Sequence, residues 1–189
     1  MSASARSRLP LSRRRWLGQL SAAAVGAAGL MLQRGVKAAA AGDAAAVIQQ
    51  PALGERVHWP TVHLLDGRRL DPPQPGQAAS VVVFFSTTCP FCARHNVHVQ
   101  KLLDSSRGMP LRILAVAHDE KVELVQRYLA RRQLGFEVTM DQLPLHVALS
   151  RKPGIPLTCV VDRQQRLREV IRGEMFEEDV LGLTRWAQA

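Results

Sequence analysis

The sequence predicts an α/β domain with a mixed central sheet flanked by helices. Two patterns carry this reading. Continuous apolar, β-branched runs at 80–85 and 111–117 enclose a helical stretch, the order of a parallel βαβ unit. Further on, the runs 157–161 and 167–172 are parted only by the turn Arg163-Gln164-Gln165, so they have to pair antiparallel. A sheet with both kinds of pairing, built from buried strands, needs helices on both faces.

Composition narrows the class. The chain has 189 residues, 47% hydrophobic and 22% charged, an ordinary balance for one globular domain. No window holds eighteen uninterrupted strongly apolar residues, which excludes a polytopic membrane protein. The net charge of +9 is unevenly spread. Residues 1–41 hold seven of the 25 Lys and Arg residues and no acidic one. That leaves 18 basic against 16 acidic residues in the remainder, which is nearly neutral. A nucleic-acid footprint is therefore disfavoured.

Residues 1–41 read as an export signal. Ser12-Arg13-Arg14-Arg15-Trp16-Leu17 precedes a weakly apolar run from Leu20 to Leu32 and an alanine-rich end. The adjacent arginines before Trp16-Leu17 resemble the twin-arginine (Tat) pattern, with Trp in the Phe place. Cleavage is expected after Ala38 or Ala41, giving a periplasmic protein. No cysteine follows the apolar run, so a lipid anchor has no acceptor there. Residues 42–56 read as a flexible leader and 57–189 as the domain.

The domain elements follow in order. Val62 to Leu65, Asp66-Gly67 and Arg68 to Leu70 read as a short hairpin with an Asp-Gly turn. Residues 71–79, with Pro72, Pro73, Pro75 and Gly76, are loop. The strand 80–85 leads into a helix reaching about Leu103, and 111–117 is the next buried strand. Residues 121–134 carry Val122, Val125, Leu129 and Leu134 at roughly helical spacing. A short strand at 136–139, a short helix at 144–149, the antiparallel pair and a closing helix over 176–187 complete the chain.

The chemistry lies in the cysteines. Cys89-Pro90-Phe91-Cys92 stands where the first buried strand turns into a helix. There the helix dipole and free N–H groups favour a thiolate on Cys89, and Cys92 follows about one turn later. Pro90 suits the first helical position, having no N–H to lose. A Cys-x-x-Cys in this βαβ setting reads as a thioredoxin-like redox pair, with no cofactor beyond its own disulfide. His95, if protonated, is a candidate to raise the thiolate fraction of Cys89 or Cys92, against the plainer reading of a solvated histidine on an exposed helix face. His98 is a weaker candidate. Cys159, inside an apolar strand, reads as an inert core thiol. Two other classes stay open: a Cu(I) or Zn(II) carrier using Cys89, Cys92 and His95, and a peroxidase on the same fold. The peroxidase is disfavoured because Val82 stands where its motif needs Pro.

Ile155-Pro156, just before the strand 157–161, matches the cis-proline that thioredoxin-like folds place opposite their disulfide. With this element the chain resembles the TlpA/ResA-type exported thioredoxin-like disulfide reductases over about residues 57–188. The resemblance rests on the strand before Cys89, the Cys-Pro-Phe-Cys, the inserted strand and helix, Ile155-Pro156, and Cys159-Val160-Val161-Asp162. It implies Cys89 and Cys92 as catalytic residues and Ile155 and Pro156 as the substrate-binding element. It also implies exported disulfide-bonded proteins as substrates and a membrane electron donor as partner. Pro90, Phe91 and His95 are expected to modulate the pair. The chain departs from the family at Thr88, often Trp, at Phe91, often Pro, and at His95 and Val97, often Glu and Pro. Val83 stands where thioredoxins bury an Asp. Cys-Pro-aromatic-Cys also resembles glutaredoxins, so a thiol oxidant or isomerase remains the alternative to a reductase. Oligomeric state is left open by the sequence.

Overall fold

A β-branched run such as Ser80-Val81-Val82-Val83-Phe84-Phe85 has no polar face to offer solvent, and it forms the middle of the sheet. The computed structural model describes residues 51–188. The export signal expected at 1–41 and most of the leader expected at 42–56 lie outside them. The end of that leader belongs to the domain. The Gly54 N–H donates to the Leu167 carbonyl at 2.7 Å, and the Leu167 N–H donates to that of Glu55 at 2.9 Å. Arg56 bridges Arg166.

Strand β1 (Val62–His63) pairs antiparallel with β2 (Arg69–Leu70), Val62 opposite Leu70. The Leu64 N–H donates to the Arg68 carbonyl and the Gly67 N–H to that of Leu64, both at 2.9 Å. The loop is therefore three residues, Leu65 to Gly67, not the two-residue Asp-Gly turn expected. Gly67 takes the left-handed conformation (φ 81°) that such a loop needs at its last position.

The main elements are β3 (Ala79–Phe85), α1 (Pro90–Ser105), β4 (Leu111–Ala117), α2 (Val122–Arg132), β5 (Glu137–Thr139) and α3 (Gln142–Leu149). They continue as β6 (Leu157–Val161), β7 (Leu167–Arg172) and α4 (Glu177–Leu181), which runs into a 3-10 turn over Gly182–Ala187. The sheet order is β5-β4-β3-β6-β7. β3 pairs parallel with β4 and antiparallel with β6, so Val83 lies between Ala115 and Thr158. β6 pairs antiparallel with β7, as the tight turn requires. Helix α2 stops two residues earlier than expected, because Gln133 turns left-handed (φ 54°) and sends Leu134 into the core. The closing helix is split at Gly182, a poor helix former.

The period of two on β3 divides the core. Val81, Val83 and Phe85 face one layer with Val99 and Leu102 of α1, Val125 of α2 and Val180 of α4. Val82 and Phe84 face the other, with Leu145 and Leu149 of α3 and Val57, Trp59 and Val62. Side chains such as Phe84, Leu102 and Leu149 are fully buried, each stabilising by about 1.5–3 kcal/mol. Among the described residues no helix is long and apolar enough to cross a membrane.

Candidate active site

Helix α1 starts where β3 ends, so its N-terminus sits over the edge of the buried sheet. Cys89 is the N-cap, with extended backbone (φ −82°, ψ 117°). Its Sγ takes the place a Ser or Asp oxygen holds in most caps, accepting the Cys92 N–H at 3.1 Å. Pro90 opens the helix without leaving a donor unpaired. The Cys89 N–H donates to the Ser86 carbonyl at 3.2 Å, which tightens the turn between strand and helix. Asp119, just beyond β4, holds that turn from the side: its carboxylate accepts the Thr87 N–H at 3.0 Å and also the Thr87 hydroxyl.

The two sulfurs differ sharply in environment. Cys89 is half-buried and Cys92 wholly buried, both as free thiols. Burial, followed by the hydrogen bond with Cys89, pushes the Cys92 thiol up to about 12. Cys89 Sγ faces the Ile155 carbonyl at 3.9 Å, and the Ile155–Pro156 peptide bond is cis. Pro156 is buried while Ile155 is partly open. The structure thus brings Cys89, Cys92, Ile155 and Pro156 together.

The remaining expected residues fall differently. Phe91 is 55% exposed beside the pair, with the Arg94 guanidinium 5.0 Å from its ring centroid. Arg94 in turn makes a bidentate ion pair with Glu174, at 2.8 and 2.6 Å. His95 is not on an exposed face: it is completely buried. Its Nδ1 accepts the Met175 N–H at 3.3 Å, so its Nε2 carries the hydrogen and donates to the Thr158 hydroxyl at 3.1 Å. Burial, then the nearby His98, lowers its pKa to about 4. The imidazolium that would raise a thiolate fraction is therefore absent at neutral pH. With both ring nitrogens engaged, His95 is also unavailable as the third ligand of a metal carrier. Among the described residues no group of three or more His, Cys, Asp or Glu is placed to hold a metal ion. His98 reaches the Met175 carbonyl from its Nδ1 at 3.2 Å.

Cys159 packs into the core layer opposite the one that holds Cys92, and burial pushes its thiol up to about 12. The sheet itself separates it from the pair. Val83, fully buried, leaves no carboxylate at that point of the core.

Several neighbours carried no sequence signal of their own. Asn96, one turn after Cys92, is buried and donates to the Tyr128 hydroxyl at 3.1 Å. His118 and His146 meet Nε2 to Nε2 at 3.0 Å, and they share a groove of about 530 Å³ with Ile155. The spacing of Cys92, His95, Asn96, Val99 and Leu102 along one helix face was the available sign that His95 and Asn96 point inward.

No family model matches the chain. The chain is 31% identical over 98 residues to the thiol-disulfide oxidoreductase ResA of Halalkalibacterium halodurans, covering 51% of this chain and 55% of that protein. It is 25% identical over 97 residues to ResA of Geobacillus kaustophilus, covering 51% and 56%. The chain thus spans about half the length of the curated relatives it matches. A thiol:disulfide interchange protein of the thioredoxin family from Chlorobium tepidum superposes with a TM-score of 0.65 at 20% identity, over 73% of this chain and 99% of that one. A secreted Mycobacterium tuberculosis disulfide oxidoreductase gives 0.58 at 15% identity, over 67% and 95%. The fold is thioredoxin-like, and over about half of its length the chain is similar in sequence to the ResA thiol-disulfide oxidoreductases.

Proposed function

We propose that the chain is a periplasmic thiol–disulfide oxidoreductase that reduces disulfides of exported proteins through Cys89 and Cys92. The observation that carries this reading is the asymmetry of the pair. Cys89 Sγ is half-open, receives an N–H at a helix start and faces the Ile155 carbonyl, while Cys92 is sealed beneath it. An open sulfur is suited to attack and a sealed one to resolve.

The Cys89 thiolate attacks one sulfur of the substrate disulfide. That bond breaks, a mixed disulfide forms, and the leaving thiolate takes a proton from water. Cys92 then loses its proton and attacks Cys89 Sγ. The mixed disulfide breaks, the Cys89–Cys92 disulfide forms, and the substrate leaves as a dithiol carrying two electrons and two protons. The backbone at Ile155 and Pro156 pairs with the extended substrate segment. Reduced chain is regenerated by a dithiol donor in the membrane.

The reducing direction is supported by what surrounds the reduced form. A strong oxidant owes its potential to a stabilised thiolate. Here Cys92 is held protonated and His95 is neutral, so neither adds to a stabilised thiolate. Beyond the N–H that Cys89 Sγ receives, the reduced pair gains little from these two groups, which supports a reductant.

Trapping tests the roles. A Cys92→Ser variant is expected to accumulate mixed disulfides with exported proteins on Cys89. Adducts formed only on Cys92 in the reciprocal Cys89→Ser variant would overturn the assignment.

A further inference from the structure

Beside the redox turn lies a groove of about 590 Å³ lined by Thr87, Leu124, Arg127, Tyr128, Arg131 and Arg132. Thr87 is two residues before Cys89. The wall of the groove is also near both sulfurs electrostatically, since charge on Cys92 and Cys89 is felt at the Tyr128 hydroxyl. No carboxylate lines it.

The three arginines are exposed, and none of them makes an ion pair among the described residues. Arg127 Nε donates only to the Glu123 backbone carbonyl at 3.3 Å, and the Arg132 guanidinium lies 5.2 Å from the Tyr128 ring centroid. Other arginines also lack an ion pair, but Arg112, Arg163 and Arg166 donate their guanidinium to the backbone carbonyls of Asp71, Gly76 and Gly54. What sets this groove apart is three arginines gathered with no carboxylate among its lining. Arg68, Arg69, Arg94, Arg107, Arg168 and Arg185 each hold an Asp or Glu. Arg127 and Arg131 are four apart on one helix, a like-charge spacing that destabilises it, offset in part by the helix C-terminus. Unpaired guanidinium groups in a concave site are suited to bidentate carboxylate recognition, and Leu124 and Tyr128 add apolar contact.

We propose that this groove docks acidic side chains that flank the disulfide of the protein substrate, which makes the arginine face of α2 a specificity determinant. The inference rests on the oxidoreductase reading above. Because Thr87 of the groove is two residues before Cys89, the acidic side chains belong close in sequence to the attacked cysteine.

The test uses two disulfide peptides of identical core, one flanked by Asp and Glu and one by Lys. Reduced full-length chain reacts with each at low and high salt, and each rate is divided by that of dithiothreitol on the same peptide. The acidic peptide is expected to react at least about tenfold faster at low salt, and the advantage to collapse in high salt and in Arg127→Gln/Arg131→Gln. An Arg132→Gln variant, altered at one position only, is expected to lose part of it. The uncharged 2-hydroxyethyl disulfide is expected to react at the same rate with all variants. If that small disulfide is not reduced by any form, the oxidoreductase reading fails. If it is reduced but the two peptides react equally, the docking proposal is overturned. It is equally overturned if the arginine variants lose binding to anionic lipid vesicles or to an oligonucleotide while the peptides show no preference.

Discussion

The His95 Nε2–H donates to the Thr158 hydroxyl at 3.1 Å, and this contact joins the helix that Cys89 caps and Cys92 lies in to the strand that follows Pro156. The Met175 N–H completes the link on the other ring nitrogen. The spacing between Cys89 and the Ile155 carbonyl is thus set by packed and hydrogen-bonded elements rather than by the loop alone.

That link gives stability a pH signature. The folded-state pKa of His95 lies near 4, below its ordinary 6.5, so the unfolded chain binds the extra proton over that interval. Its contribution is complete above about pH 6.5 and is lost as pH falls towards 4. The loss is expected to be at most about 3 kcal/mol. Urea denaturation between about pH 7 and 5 reads it, and a His95→Asn variant is expected to lose the His95 part of the slope and keep that of His118, whose pKa burial also lowers. The carboxylates whose pKa is lowered, such as Asp66 and Glu174, begin to lose their contribution near their ordinary values of 3.8 and 4.5, so the histidine slope is read cleanly between about pH 6.5 and 5.

The two motif thiols are expected to alkylate very differently. At pH 7 iodoacetamide should modify Cys89 and leave Cys92 untouched, because Cys92 is sealed from solvent and its thiol is pushed up to about 12. Mass spectrometry of the reduced chain before and after denaturation checks this. Rapid labelling of native Cys92 in a Cys89→Ser variant would show the sulfur is open.

Phe91 gives a separation of stability from reactivity. Its ring is 55% exposed and packs against no core layer. A Phe91→Ala variant is expected to unfold within about 0.5 kcal/mol of the parent. Its rate on a polypeptide disulfide should fall several-fold, while its rate on 2-hydroxyethyl disulfide stays within twofold. Equal losses on both substrates would mean the ring acts on the sulfurs and not on the substrate chain.

The strands were legible because burial on two faces leaves unbroken apolar runs, as in β3 and β4, and Cys89 and Pro90 were legible because a helix start demands particular residues. What stayed hidden depended on the third dimension. His95 read as exposed because histidine usually is, and its burial is permitted by Thr158 and Met175, 63 and 80 positions away. The three-residue loop at Gly67 and the pairing of Gly54 and Glu55 with Leu167 carry no periodic pattern, since single backbone bridges leave none. Arg127, Arg131 and Arg132 carry no motif of their own on a helix recognised by its apolar spacing. Only the fold sets them beside Thr87.

A sealed, protonated Cys92 beneath an open Cys89 is expected to make a reducing couple. The reduction potential of Cys89–Cys92, measured on metal-free protein against dithiothreitol or glutathione buffers, decides it. A value near or below about −250 mV is the result predicted. A value near about −120 mV, typical of a dedicated oxidant, would contradict it.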